Sequence, residues 1–245
     1  MIKHLHITFL YRLIVYILGI IIITLGVALT INANLGISPV SLFSYALSRT
    51  TGIDISITSI FVFAMYLIFQ VFIYGRAFKL IQLFQVPFAI LFGYFLGFFN
   101  QMIHINTDSL VIRILFVFLG LTCLATGIFL TVTARLIPMS PEGFLQALVY
   151  RTNIDFGKAK NLQDITSVTV SAILLFTTGN GFSGIGIGTI LSTILVGRIL
   201  YVWNRLFKQK LESFFQLQVA SESTGKSESI VRRSQASTPK EVYLE

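Results

Sequence analysis

Five stretches of this chain carry no Asp, Glu, Lys or Arg: residues 13–48, 55–75, 80–107, 114–134 and 165–197. In hydrocarbon every backbone N–H and C=O must find its partner within the protein, so only helices and closed barrels cross a bilayer. A helix needs about 20 apolar residues to span a core about 30 Å thick. A barrel strand would instead show about ten residues of alternating polarity. These runs are continuous, so the pattern predicts helices. Composition agrees: 55% of residues are hydrophobic and 11% charged, against about 25% charged in soluble domains. The mean hydropathy is +0.83. A soluble domain could not cover its core with so little polar surface. The one cysteine, Cys123, excludes an intramolecular disulfide and a Cys-rich metal domain.

The runs divide into six predicted spans, at 12–33, 55–75, 80–103, 114–134, 163–179 and 184–206. The fifth run is too long for one helix, and Thr177 to Gly184 breaks it. The first apolar stretch exceeds the 7–15 residues of a signal-peptide core, so it is expected to be a retained span. Lys and Arg then set orientation. With the N-terminus inside, the inner segments carry Lys3, Arg12, Arg76, Lys79, Arg135, Arg151, Lys158, Lys160, Arg205, Lys208 and Lys210, and the outer ones Arg49 and Arg113. Both termini are expected in the cytoplasm. The net charge of +8 reflects this topology and contact with anionic lipid rather than nucleic acid. Residues 211–245, polar and low in complexity around Ser221 to Ser229, are expected to form a disordered cytoplasmic tail.

The two halves of the chain match. At an offset of 101, Leu18-Gly19 aligns with Leu119-Gly120, Gly26 with Gly127, Leu29-Thr30 with Leu130-Thr131, and Ile53-Asp54 with Ile154-Asp155. One residue further on, Ser38-Pro39 aligns with Ser140-Pro141 and Arg49-Thr50 with Arg151-Thr152. Ile90-Leu91, Gly93 and Asn100 match Ile194-Leu195, Gly197 and Asn204. Each half has three predicted spans, an odd number, so the second half enters from the opposite face. The expected fold is an all-α integral membrane protein of six transmembrane helices in two inverted three-helix repeats. The repeats are 1–107 and 108–210. Secondary transporters are often built this way, with the solute site at the repeat interface. Gly19 and Gly26 share one helix face, as do Gly120 and Gly127, and small residues let helices approach closely in lipid.

A short helix is expected after the first span of each half. Each is announced by Ser-Pro, with Ser suited to the N-cap and Pro to the first turn. These elements are too short to span, and either lie at the interface or re-enter the bilayer. A helix N-terminus attracts anions, although Glu142 in the second element is placed to satisfy that terminus itself. An ionisable residue inside a span is a functional candidate by default, which adds Asp164 and Arg198. The candidate solute-binding residues are therefore Asn34, Ser38, Pro39, Ser140, Pro141, Glu142, Asp164, Gly186, Gly188 and Arg198. For Arg198 near a helix end, snorkelling is the competing account. For Asp164 it is a local pair with Lys158 or Lys160. No Walker loop, His-Glu-x-x-His or Gly-x-Ser-x-Gly motif is present. No catalytic residue, cofactor or metal ligand is expected, and the Gly-Ile-Gly-Ile-Gly run at 184–188 follows no strand, so it is not read as a dinucleotide loop.

Leu35-Gly-Ile-Ser-Pro39, Ser140-Pro-Glu142, and Gly186-Ile-Gly-Thr189 leading to Leu195-Val-Gly197 resemble the bacterial YczE/YyaS/YitT-type membrane proteins, nearest the YczE branch. The resemblance covers residues 10–208. It implies a multi-pass protein of the bacterial cytoplasmic membrane, with acidic residues where Glu142 and Asp164 stand. Gly197 is followed here by Arg198, where the family pattern has Pro. The functional expectation is a transporter or permease-like protein for a small polar or anionic solute, and not an enzyme. The rival is a membrane-embedded accessory or regulatory protein that binds a protein partner or a second copy of itself. The lipid bilayer is the one partner common to both.

Overall fold

The computed structural model describes residues 2–105 and 107–207, with side chains from Phe9 onward. Within these residues the secondary structure is helical, with no strand. The helices are α1 (Ile2–Ala33), α2 (Pro39–Thr51), α3 (Ile55–Tyr74), α4 (Gln85–Met102), α5 (Leu110–Thr133), α6 (Ser140–Thr152) and α7 (Phe156–Thr177), followed by α8 (Ile187–Phe207). Among the described residues, five segments are long and apolar enough to cross a membrane: Phe9–Ala33, Ile55–Ala77, Leu80–Met102, Leu110–Thr133 and Ile187–Phe207. The protein is a helical membrane protein. The predicted span at 163–179 corresponds to α7, which starts earlier and brings Lys158, Lys160 and Asp164 into its first turns. Those charges lower its hydropathy below that of the other five. The predicted tail, 211–245, lies outside the described residues.

Local chemistry sets the helix ends. Asp54 and Asp155 are the N-caps of α3 and α7, their carboxylates accepting from Ser56 N at 2.8 Å and Gly157 N at 2.8 Å. Gly52 and Asn153, in left-handed conformation, end α2 and α6, as this backbone does at many helix C-termini. Asn34 (φ 52°) and Arg135 (φ 51°) turn the chain after α1 and α5. Each of these pairs is 101 positions apart. So are the N-caps of the short helices, Ser38 for α2 and Met139 for α6. This corrects two readings of the sequence. Ser140 is the first helical residue rather than the cap, and no residue is inserted between the halves at this point. The two short helices have equal length, 13 residues, and the Ser-Pro pair sits one position deeper in α6. Ser38, although it is the N-cap, makes no capping bond; its hydroxyl donates instead to Ser41 Oγ at 3.3 Å.

The core is built on α1 against α5. A Cβ at Gly26 would lie 2.5 Å from Gly120 O, and one at Gly127 would lie 2.6 Å from Gly19 O. Only the absence of side chains lets the two backbones approach this closely. Because Gly19 faces Gly127 and Gly26 faces Gly120, the helices run antiparallel. Around this pair α4 packs on α1 and α3, α2 packs on α7, and α6 packs on α3. Both short helices bury their N-terminal halves, through Pro39, Leu42 and Ser44 in α2 and Ser140, Pro141 and Gly143 in α6. Arg49 and Arg151, in their last turns, lie nearer the surface.

Candidate functional site

The bundle separates the residues nominated from sequence into two groups. Tyr16 and Ala33 mark the two levels on α1, about 25 Å apart at 1.5 Å per residue.

At the Ala33 level, Asn34, Ser38, Pro39, Gly186 and Gly188 come together. The segment before α2 is clamped to the start of α8 by backbone bonds, Ile37 N to Gly184 O at 2.9 Å and Gly188 N to Leu35 O at 2.8 Å. A Cβ at Gly186 would fall 2.4 Å from Leu35 O, so glycine is required there by contact alone. Thr189 Oγ1 accepts from Gly186 N at 3.3 Å. Tyr45 OH meets Ser183 Oγ at 2.9 Å and accepts from Arg49 Nε at 2.9 Å. Arg113 closes the end of α1, donating to Ala33 O at 2.8 Å and Asn34 O at 2.9 Å. A crevice of about 590 Å³ opens beside it, lined by Asn32, Asn34, Ile105, Thr107, Asp108 and Arg113. The polar groups of the clamp are largely paired with one another, which suits a structural joint.

At the Tyr16 level, Ser140, Pro141, Glu142 and Asp164 gather with residues the sequence reading passed over. Gln70 of α3 and Gln85 of α4, both fully buried, exchange amide bonds at 3.0 Å in each direction. Gln70 Nε2 also donates to Ser140 O at 3.1 Å. The pair is pressed against Gly143, where a Cβ would lie 2.5 Å from Gln70 Oε1. Tyr66 of α3 meets Ser167 of α7 at 3.4 Å between hydroxyl oxygens. On α7, Lys160 is ion-paired with Asp164, one turn apart.

Several polar atoms in this region have no partner. Tyr16 is 1% exposed and Gln163 4% exposed. Among the described residues, the hydroxyl of the first and Oε2 of Glu142 are buried without a hydrogen bond; the Gln163 amide, short of a well-aligned bond, has the Tyr66 hydroxyl beside it. They belong to one neighbourhood. The charge of Glu142 acts on Tyr16 and Tyr66, Lys160 acts on Glu142, and Gln163 stands beside the Tyr66 hydroxyl. Burial holds the Glu142 carboxyl above the usual carboxylate range, against the opposing pull of its own backbone N–H and of Lys160. Glu142 lies on α6, outside the five candidate spans. Buried polar groups are nearly always paired, so this group of unpaired ones is the candidate functional site.

Arg198 joins neither group; it is exposed on α8. Tyr16, Tyr66, Gln70, Gln85 and Gln163 escaped the sequence reading because a scan for charges passes over neutral polar residues. Gln70 and Gln85 each lie in a charge-free run, and an amide inside a span is the signal that could have flagged them. Among the described residues no three His, Cys, Asp or Glu side chains are placed to hold a metal.

Comparison with known proteins places the chain among membrane proteins. A family described as of unknown function, DUF6198, matches residues 10–205. The uncharacterized membrane protein YczE of Bacillus subtilis (strain 168) is 29% identical over 189 residues, covering 76% of this chain and 81% of that protein. No solved structure matches.

Proposed function

The chain belongs to the family DUF6198, and from its interior chemistry we propose that it is a transporter or permease-like protein for a small polar solute rather than an enzyme. The observation that carries this reading is the group of unpaired buried polar atoms of Tyr16, Glu142 and Gln163. They are supplied by α1, α6 and α7, beside the buried polar side chains of Gln70, Gln85 and Tyr66. A buried polar group without a partner is costly, and an exchangeable polar occupant relieves that cost.

The proposal includes the inverted repeat, 1–107 against 108–210, with α7 as the sixth span and its charged first turns at the membrane surface. Three features support it. The helix caps keep a constant spacing of 101 positions between halves. The glycines of α1 and α5 meet antiparallel, so equivalent residues exchange partners, the signature of a two-fold relation. The pairings α2 with α7 and α3 with α6 are exchanged by the same relation. Repeats of this kind rock against each other about a fixed site. The Lys and Arg distribution supports cytoplasmic termini in a bacterial cytoplasmic membrane. The Tyr16 level, near Arg12, Arg76 and Lys79, is then the cytoplasmic end.

The reading is tested with purified protein in liposomes, following uptake of a panel of labelled amines, amino acids, organic acids and inorganic ions. Flux above empty liposomes, reduced at least tenfold by Glu142→Gln, is the expected result. No flux across the panel, with a stoichiometric protein recovered by mild crosslinking in cells, would replace transport with the accessory role.

A further inference from the structure

The two halves place different chemistry at equivalent positions. In the register of the helix caps, Tyr16 corresponds to Val117, Glu142 to Ser41, Lys160 to Ser59, Gln163 to Val62 and Asp164 to Phe63. Val117, Val62 and Phe63 are buried, at 1%, 0% and 5% exposure. The same helix packing is therefore achieved at one set of positions, Val117, Ser41, Ser59, Val62 and Phe63, with apolar or small side chains, and at the equivalent set with two carboxylates, an amine, an amide and a phenol. Packing does not require the polar set.

Its charge is unbalanced. Lys160 is engaged by Asp164, which leaves Glu142 Oε2 buried and unpaired. Arg12, a turn before Tyr16, has a partner of its own. The other titratable groups around Glu142 are Tyr16 of α1, Tyr66 of α3, and Lys160 and Asp164 of α7; α4 contributes the neutral Gln85. A buried carboxylate without a counter-charge is strongly unfavourable. The α6 N-terminus, which would favour an anion, is already served by the Glu142 carboxylate through its own backbone N–H. Gln163 Nε2 is a donor in this unpaired set and the Tyr16 hydroxyl can serve either way, while Glu142 Oε2 is its charged acceptor; a carboxylate without a counter-charge suits positive charge.

Resting on the transporter reading, we propose that Tyr16, Glu142 and Gln163 form a site for one small monovalent cation, which is the transported solute or its coupling ion. The cation is an ammonium group or an alkali ion. Both neutralise Glu142, and the experiment separates them.

The purified protein in detergent is melted in sodium chloride, methylammonium chloride and choline chloride at equal ionic strength and two pH values, and in potassium phosphate against potassium chloride. A ligand that binds only the folded state raises the melting temperature saturably. The expected result is stabilisation by methylammonium or sodium over choline, lost in Glu142→Gln. Gln163→Val, which installs the residue of the other half, keeps the protein monodisperse and weakens the effect about tenfold, the loss of one hydrogen bond to a charge. The proposal is overturned if none of the cations moves the transition at either pH, if the effect persists in Glu142→Gln, or if phosphate is the stabilising ion. Cation binding without flux in liposomes would leave this site standing and remove the transporter reading; flux of an anion would do the reverse.

Discussion

Tyr66 and Ser167 join hydroxyls at 3.4 Å, and each is the twelfth residue after the aspartate that caps its helix, Asp54 for α3 and Asp155 for α7. Matching positions of α3 and α7, counted from their caps, thus meet each other, one carrying a tyrosine and the other a serine. The proposed two-fold relation puts its axis at this contact.

Exposed termini of the short helices report whether the halves are inverted. In a Cys123→Ala background, Thr51→Cys at the end of α2 is expected to react with a membrane-impermeant maleimide in intact cells. Thr152→Cys at the end of α6 is expected to react only after permeabilisation. Labelling of both from the same side would exclude the inverted arrangement.

The α1–α5 crossing should tolerate no added bulk. Gly26→Leu would drive a side chain into Gly120 O, 2.5 Å from the Cβ position. Overpacking of this kind costs about 1–3 kcal/mol or more, read as a lower melting temperature in detergent. Gly197→Ala is the contrasting case. Among the described residues no atom of another element lies within 4 Å of its Cβ position, and alanine favours a helix by up to about 1 kcal/mol. A Gly26→Leu protein as stable as the parent would refute the close crossing.

Gln70 and Gln85 should be energetically coupled. Either change to Leu leaves the other amide short of a partner at a cost of about 1–3 kcal/mol. The double substitution removes both polar groups and is expected to cost less than the sum of the singles. A double-mutant cycle on thermal stability measures the coupling, about 0.5–3 kcal/mol for residues in contact. Additive effects would mean that the amides do not depend on each other.

Arg113 holds the C-terminal carbonyls of α1 with Nε and a terminal nitrogen. Arg113→Lys keeps the charge and loses the two-point geometry, so it should destabilise nearly as much as Arg113→Ala, by about 1 kcal/mol. Recovery of full stability in the lysine variant would show that charge alone suffices.

Stability should depend on pH through Glu142. Its folded-state value is raised above 4.5, so the folded protein keeps the proton that the unfolded chain gives up. Folding is then most favoured below the ordinary carboxylate range, loses stability as pH rises from there to the raised value, and is flat beyond it. Melting temperatures measured across this window should fall with pH in the parent and fall less in Glu142→Gln. Identical profiles would show that Glu142 titrates normally.

What was legible from the sequence is what adds up along the chain. Hydropathy over 20 neighbouring residues specifies the spans at 12–33, 55–75, 80–103, 114–134 and 184–206, because transfer into lipid is a sum of local terms. The ends are local as well: the two aspartate caps and the repeated turns need only a few adjacent residues. The segment around 163–179 was read as a span although its helix begins in charged residues, and the same local sum leaves α7 apart from the other five.

The site was decided by tertiary structure. Tyr16, Glu142 and Gln163 are far apart in sequence and sit on three different helices, so no local signal joins them. Ser38, Gly186 and Gly188 carried motif-like signals and turned out to be held in a paired backbone clamp. Which polar atoms lack a partner depends on every helix packed around them. Sequence alone determined that this chain crosses a membrane as helices. Only the packed bundle, with Gly26 meeting Gly120 and Gly19 meeting Gly127, brought Tyr16, Glu142 and Gln163 into one neighbourhood, while Val117 and Val62 at equivalent positions packed as apolar core. The reason is that burial is a property of the assembled bundle, not of any one of its helices.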